Sequence, residues 1–262
     1  MQSDKNMELG LGLIGIGREW GAGDRSVASE TQADELLREA LTLNIDFFDT
    51  APSYGHSEAR LGRFLSELSA EQRKGVRVAT KFGEFWRDGS AVVDHSYDSL
   101  CRSVDASLRL LGRIDLLQIH KCTAAVLALP GVRRAVQYAR DLGVRSIGAS
   151  VSDAEACESA VRTEFIDAIQ LPLNCRRPQL ADAARAARVC GKTVIANRPV
   201  DSGNMLSGAE GERRASILRD SFSFLARQRA VHVVLTGTRS ATHLRENYMA
   251  FHDANTSLRT CR

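Results

Sequence analysis

The run FFDTAPSYGHSEARLG at residues 47–62 stops an apolar stretch on an acid, Asp49, and five residues later places a lone Tyr54 between Ser53 and Gly55. Two further apolar runs also close on groups that titrate: VRVATK ends at Lys81 and IDLLQIH at His120. A carboxylate, a phenol, an ammonium and an imidazole together supply the donors and acceptors that proton transfer needs, provided the fold brings them to one place. Singly, each has an ordinary explanation. Asp49 before Thr-Ala-Pro can cap a turn, Tyr54 can cover the rim of a core, Lys81 can be a solvated strand end, and a lone histidine is more often a satisfied core residue.

Those positions take meaning from the elements around them. Short β-branched runs recur at 11–17, 45–50, 76–81, 114–120, 144–150, 167–173, 192–198 and 231–237, eight strand candidates in all. Between them lie stretches such as ETQADELLREALTL, SEARLGRFLSEL, SLCRSVDASLRLL and PGVRRAVQYARDL, whose apolar residues fall at a spacing of three to four, as helices that bury one face require. Eight strand-then-helix units in roughly 250 residues predict a (β/α)8 TIM barrel with parallel strands. The rival is an open doubly wound sheet, whose dinucleotide fingerprint needs G-x-G-x-x-G directly after the first strand. Here GIGREWG carries its third glycine one position late, and no helix begins at once. No repeat, low-complexity segment or Pro/Gly-rich linker divides the chain, so residues 1–262 are read as one domain, with RPVDSGNMLSGAEGE at 198–212 as its longest irregular stretch. In such a barrel chemistry collects at the C-terminal ends of the strands. Asp49, Lys81 and His120 end the second, third and fourth strands, and Tyr54, in the loop after the second, can reach the same mouth.

Composition narrows the function class. With 44% hydrophobic and 26% charged residues, a chain of 262 can bury a large core. A formal charge of +3 without long runs gives no case for nucleic-acid or membrane partners. The six cysteines, at 101, 122, 157, 175, 190 and 261, form no C-x-x-C pair; they suggest neither a disulfide framework nor a zinc site and fit reduced thiols in a cytoplasm. The start MQSDKNMELG has no basic segment followed by an apolar signal core, and no run of about 18 apolar residues occurs, so a soluble cytoplasmic protein is expected.

The assembled pattern resembles the aldo-keto reductase superfamily over nearly the whole chain. That family's strand ending D-T-A, following Y-G, third strand ending T-K and fourth ending Q-x-H are matched in order by Asp49-Thr50-Ala51, Tyr54-Gly55, Thr80-Lys81 and Gln118-Ile119-His120. SIGAS at Ser150, QLPLN with Gln170 and Asn174, RPVDSGNMLSG and TGTRSATHLREN extend the match. The resemblance implies an NAD(P)H-dependent reductase of aldehydes or ketones, with Tyr54 as proton donor, Lys81 favouring its ionisation, Asp49 holding Lys81, and His120 orienting the substrate oxygen. It also implies a nicotinamide between these residues and Ser150 and Gln170, a pyrophosphate along the loop from Pro199 through Gly203 to Gly208, and an adenosine end at Gly237, Thr238, Arg239, His243, Glu246 and Asn247. A helix start suits phosphate, and Arg239 as ligand of a 2′-phosphate implies NADPH over NADH. This sequence departs from the pattern at Val151, where many relatives have Asn, at Ala196-Asn197, where an aromatic residue often stacks on nicotinamide, and at His243, where an arginine is common.

Trp20, Trp86 and Lys121, in loops after the first, third and fourth strands, are the candidates for a substrate pocket. Arg18, Lys121 and Arg198 at strand ends suggest a carbonyl substrate bearing a carboxylate or phosphate. The same residues also suit an alcohol or aldose dehydrogenase working in the oxidising direction. A non-catalytic nucleotide-sensing barrel is the reading from a different class, against which the intact Tyr54 and Lys81 stand. A metal-dependent hydrolase would usually open with an H-x-H pair on the first strand, which LGLIGIG lacks.

Overall fold

The fold is that of a computed structural model, which describes residues 7–22 and 25–260. The first six residues, part of the stretch read as lacking an export signal, and Cys261 lie outside the described residues. In chain order the elements are β1 (Glu8–Gly12), α1 (Glu30–Thr42), β2 (Phe47–Asp49), α2 (Ser57–Glu67), α3 (Ala70–Gly75), β3 (Arg77–Phe82), β4 (Glu84–Arg87), β5 (Ser90–Val93) and α4 (Tyr97–Leu111). They continue with β6 (Leu116–Ile119), α5 (Ala124–Leu127), α6 (Pro130–Asp141), β7 (Ser146–Ser150), α7 (Ala154–Arg162), β8 (Ala168–Pro172), α8 (Ala181–Val189), β9 (Thr193–Asn197), α9 (Gly211–Arg227), β10 (Val233–Gly237) and α10 (Ala241–Thr260).

Eight of the strands pair in parallel in the order β1, β2, β3, β6, β7, β8, β9, β10, and β10 returns to β1 to close the barrel. The helices form where the sequence gives both a face and a start. In α1, Ser29 and Gln32 make a reciprocal capping box and Ala33, Leu36, Leu37 and Ala40 are buried at helical spacing. Phe47, Ala79, Leu116, Ala168, Ile195, Val233 and Leu235 form a cluster separate from the main core and fill the barrel interior. Gly10 makes room for them, since a β-carbon there would lie 3.0 Å from Leu235, Phe47 and Val233. Side chains alternate along a strand, so residues two further on face inward one step higher. Beyond Phe47, Ala79, Leu116 and Ala168 those residues are Asp49, Lys81, Gln118 and Gln170, and the apolar plug thus carries a polar layer.

The structure corrects several boundaries. The first strand occupies residues 8–12, not the predicted 11–17; beyond Gly12 the Leu13 N–H donates to the Asp49 carbonyl, and the chain turns into a 3-10 helix at Ile14–Ile16. Leu13 and Ile16 are apolar because they are buried in the core, not because they continue the strand. The loop after the third strand is the antiparallel hairpin β4–β5. The stretch at 198–212 contains a 3-10 segment, Asp201–Leu206, and the connection from β1 to α1 is longer.

Two loops that meet above the barrel pack glycine against glycine. A β-carbon on Gly17 would overlap the Tyr54 carbonyl oxygen, and one on Gly55, at φ +61°, would overlap the Gly17 carbonyl. The His56 N–H donates to that same carbonyl at 3.2 Å. Gly17→Ala should therefore displace the Tyr54 loop and cost about 1–3 kcal/mol. Thermal unfolding should show a fall of roughly 2–4 °C per kcal/mol, and an unchanged Tm would contradict the close approach.

Candidate active site

The polar layer is organised around one ion pair. Lys81 Nζ lies 2.6 Å from Asp49 Oδ2 and donates also to the Thr50 carbonyl at 2.9 Å. The other carboxylate oxygen, Asp49 Oδ1, accepts from Gln118 Nε2 at 2.9 Å and from Gln170 Nε2 at 3.0 Å. Lys81 is 0% exposed and Asp49 2%; burial of this kind is tolerated because three donors meet the carboxylate and two acceptors meet the ammonium. Burial lowers the Lys81 pKa, but Asp49 and Tyr54 raise it more, and the ammonium is held above its ordinary value.

Tyr54 stands over this pair, with Lys81 Nζ 4.7 Å from its ring centroid. The sequence leads one to expect a phenol made more acidic by Lys81. Instead burial, the larger effect, raises the Tyr54 pKa while Lys81 opposes it, so the phenol keeps its proton at neutral pH. His120 approaches edge-on, its ring centroid 6.1 Å from that of Tyr54. Its Nδ1 is 2.9 Å from Glu84 Oε2 and 3.4 Å from Ser53 Oγ, and Glu84 Oε1 is 3.5 Å from Lys121 Nζ. Burial pushes the His120 pKa down, with Glu84 pulling the other way. Glu84 is the residue that sequence reasoning missed: it sits three positions past the strand end that was read, behind Gly83, and only the hairpin turns it back onto His120.

A cavity of about 580 Å3 opens above these side chains. Asp49, Tyr54 and His120 line it at one end, and Gly237, Thr238, Arg239, His243 and Asn247 at the other. Ser150, Gln170, Pro199, Gly203, Trp20 and Lys121 lie on its walls. Ser150 Oγ and Asn197 Nδ2 converge on Gln170 Oε1 at 3.4 and 3.2 Å. Trp86 is one shell removed: it stacks on Arg18 at 4.4 Å, and Arg18 in turn covers Trp20 at 5.2 Å. Glu246 is not on the cavity wall and pairs with Arg214, which is, at 2.7 Å. Arg214 lies on α9 with no local signal that it would reach this site. The Arg239 guanidinium bonds to the Ser26 carbonyl, tying the β10–α10 turn to the loop after β1.

The residues present fit a dinucleotide. Asn197 Oδ1 and Asn247 Oδ1 are buried acceptors without a protein partner, and both residues line the cavity. Arg214, Arg239 and His243 gather at the end that would meet phosphate. Among the described residues no group of three or more His, Cys, Asp or Glu is placed to hold a metal, and no helix is long and apolar enough to cross a membrane.

The profile of the Aldo/keto reductase family matches residues 8–220. An aldo-keto reductase of Schizosaccharomyces pombe, named for NADP(+), is 26% identical over 213 residues, which cover 77% of this chain but 60% of that protein. The uncharacterized oxidoreductase YqkF of Bacillus subtilis is 26% identical over 278 residues, covering 93% of this chain and 86% of its own. A solved structure of a putative aldo-keto reductase from Pseudomonas aeruginosa aligns with a TM-score of 0.78 at 26% identity, over 94% of this chain and 89% of the other. With an eight-stranded parallel barrel, a buried Asp-Lys pair beneath a tyrosine and a profile match over most of its length, this chain belongs to the aldo/keto reductase family.

Proposed function

We propose that this chain reduces an aldehyde or ketone to an alcohol with NADPH, the Tyr54 hydroxyl delivering the proton. The observation that carries this reading is the Lys81 ammonium, buried 2.6 Å from Asp49 and 4.7 Å from the Tyr54 ring centroid at the foot of the cavity. NADPH, when bound, supplies the hydride. Tyr54 transfers its proton to the carbonyl oxygen as negative charge builds there, and Lys81 stabilises the phenolate that remains. Asp49 keeps Lys81 in place, and Gln118 and Gln170 keep Asp49 in place. Ser150, Gln170 and Asn197 offer a cluster of amide and hydroxyl groups for a carboxamide. Arg239, His243 and Asn247 offer cationic and acceptor groups for an adenosine phosphate. The same groups run the reverse reaction when an alcohol and the oxidised cofactor are supplied.

The substrate class follows from charge. Arg18 lies between the two indoles and donates Nε to the Ser53 carbonyl at 2.8 Å, and Arg198 lies 5.9 Å over Trp20. Among the described residues neither guanidinium pairs with a carboxylate, whereas Lys121 is shared with Glu84. Both arginines line the cavity, so the reading favours a carbonyl compound that carries a carboxylate or phosphate.

Tyr54→Phe removes one hydroxyl and little volume. Turnover should fall about 100-fold or more while cofactor binding and Tm hold, measured by loss of absorbance at the nicotinamide band with a panel of aldehydes; near-normal turnover would defeat the assignment. Arg239→Ala should weaken NADPH about tenfold to hundredfold and leave NADH nearly unchanged, read by fluorescence titration, and equal weakening of both would place the phosphate elsewhere. Arg18→Gln should lower kcat/KM for an anionic aldehyde while sparing a neutral one of similar size. Equal efficiency of the two in the unaltered protein at low salt would remove the anionic pocket.

A further inference from the structure

Glu84 has no role in the reaction as described so far, yet it is 5% exposed and in contact with a group that faces the cavity. Its approach is built into the backbone. Gly83, at φ +97°, lets β3 turn into the hairpin where a β-carbon would lie 2.5 Å from His95 Cδ2, and His95 Nε2 meets the His120 carbonyl oxygen at 2.8 Å. The Glu84 carboxyl is buried, which raises its pKa, but His120, Lys121 and Ser53 outweigh burial and hold it at about 2. Above that pH it is a carboxylate and only accepts. The Ser53 hydroxyl helps to hold the Glu84 carboxyl ionised, and its oxygen lies 3.4 Å from Nδ1. The carboxylate, 2.9 Å from Nδ1, therefore requires a hydrogen on that nitrogen, and the Ser53 hydroxyl is able to accept from it as well.

We infer that Glu84 is a positioning residue that locks neutral His120 in the Nδ1–H tautomer, so that His120 meets a carbonyl oxygen as imidazolium and an alcohol hydroxyl as neutral imidazole. This inference rests on the proposed reaction. With hydrogen on Nδ1, the neutral ring presents a bare lone pair at Nε2. A carbonyl oxygen has no proton to offer that lone pair, whereas an alcohol does. Donation to a carbonyl needs a second proton on the ring, which the Glu84 carboxylate supports and which burial and the charges of Lys81 and Lys121 oppose. Tyr54 packs on the ring edge and Arg18 adds positive charge near Glu84; His95 faces the backbone oxygen. In reduction hydride reaches carbon, the Tyr54 proton reaches oxygen while the imidazolium donates to it, and the second His120 proton then passes to the phenolate, which leaves Tyr54 protonated and His120 neutral. Oxidation runs the same transfers backwards, so the alcohol proton ends on His120 Nε2.

The test combines NMR with pH profiles. In the full chain with 15N-labelled histidine, the His120 signals, assigned with His120→Asn, should show the Nδ1–H tautomer. In Glu84→Gln that preference should be lost and the His120 pKa should fall by about one unit or more. For alcohol oxidation, the acid limb of kcat/KM should move to lower pH by the same amount. For carbonyl reduction, the fall with rising pH should flatten, because the freed ring can carry hydrogen on Nε2 while neutral. Glu84→Asp should restore the limbs in part. A merely structural role would lower rates at all pH with the limbs unmoved, and that result, or an Nε2–H tautomer in the unaltered protein, overturns the inference. If no carbonyl or alcohol is turned over with either cofactor, the proposed reaction falls, while the tautomer measurement still decides the part played by Glu84.

Discussion

The architecture of the site depends on placing a full ion pair where water does not reach. Transfer of Asp49 and Lys81 into the barrel carries a desolvation penalty of several kcal/mol per ion, and the structure answers it with hydrogen bonds to both ions. Thr50 and Asp49 take the ammonium, and Gln118 and Gln170 take the far carboxylate oxygen. These partners come from β3, β2 and its loop, β6 and β8, so the full set of bonds exists only once these strands face one another across the barrel. Beneath it the apolar plug of Phe47, Ala79, Leu116 and Ala168 excludes water from the other side. The charge on Lys81 is therefore poorly screened and acts on Tyr54 directly.

Around that fixed floor the loops decide what enters. The Gly17–Gly55 contact brings the β1 and β2 loops together and seats Tyr54, while Arg18 from the same turn holds the Ser53 carbonyl and separates Trp20 from Trp86. The loop after β9 joins this arrangement through the Ala22 N–H, which donates to the Ser202 carbonyl at 3.0 Å. Arg198, Asp201 and Ser202 all have positive φ in that loop, an arrangement that costs energy in residues with a β-carbon and that the surrounding contacts must maintain. The cavity wall is consequently assembled from loops that hold one another, on a barrel that holds the ion pair. Its cations at the two ends point to an anionic cofactor and an anionic substrate as the partners the proposed reaction would bring together.

The sequence by itself determined the barrel and the strand ends. Short β-branched runs set between helical patterns located seven of the eight barrel strands within a few residues and put Asp49, Lys81 and His120 at the ends of neighbouring strands. It erred at the first strand because Leu13 and Ile16 are as apolar as strand residues; hydropathy records burial, and a buried 3-10 turn reads the same way. The family resemblance also paired Lys81 with Asp49, but only the tertiary structure decided the further partners. Gln118 meets Asp49 across 69 positions and Gln170 meets it across 121, and no local pattern encodes such a distance. Glu84 reaches His120 because a glycine turns a hairpin back over the barrel mouth, and Arg214 reaches the far end of the cavity from a helix face. The acidity of Tyr54 shows the same division. A lysine nearby in the motif suggests a lowered pKa, but the sign follows from the balance of that charge against burial, and burial is a property of the closed fold rather than of any segment of the chain.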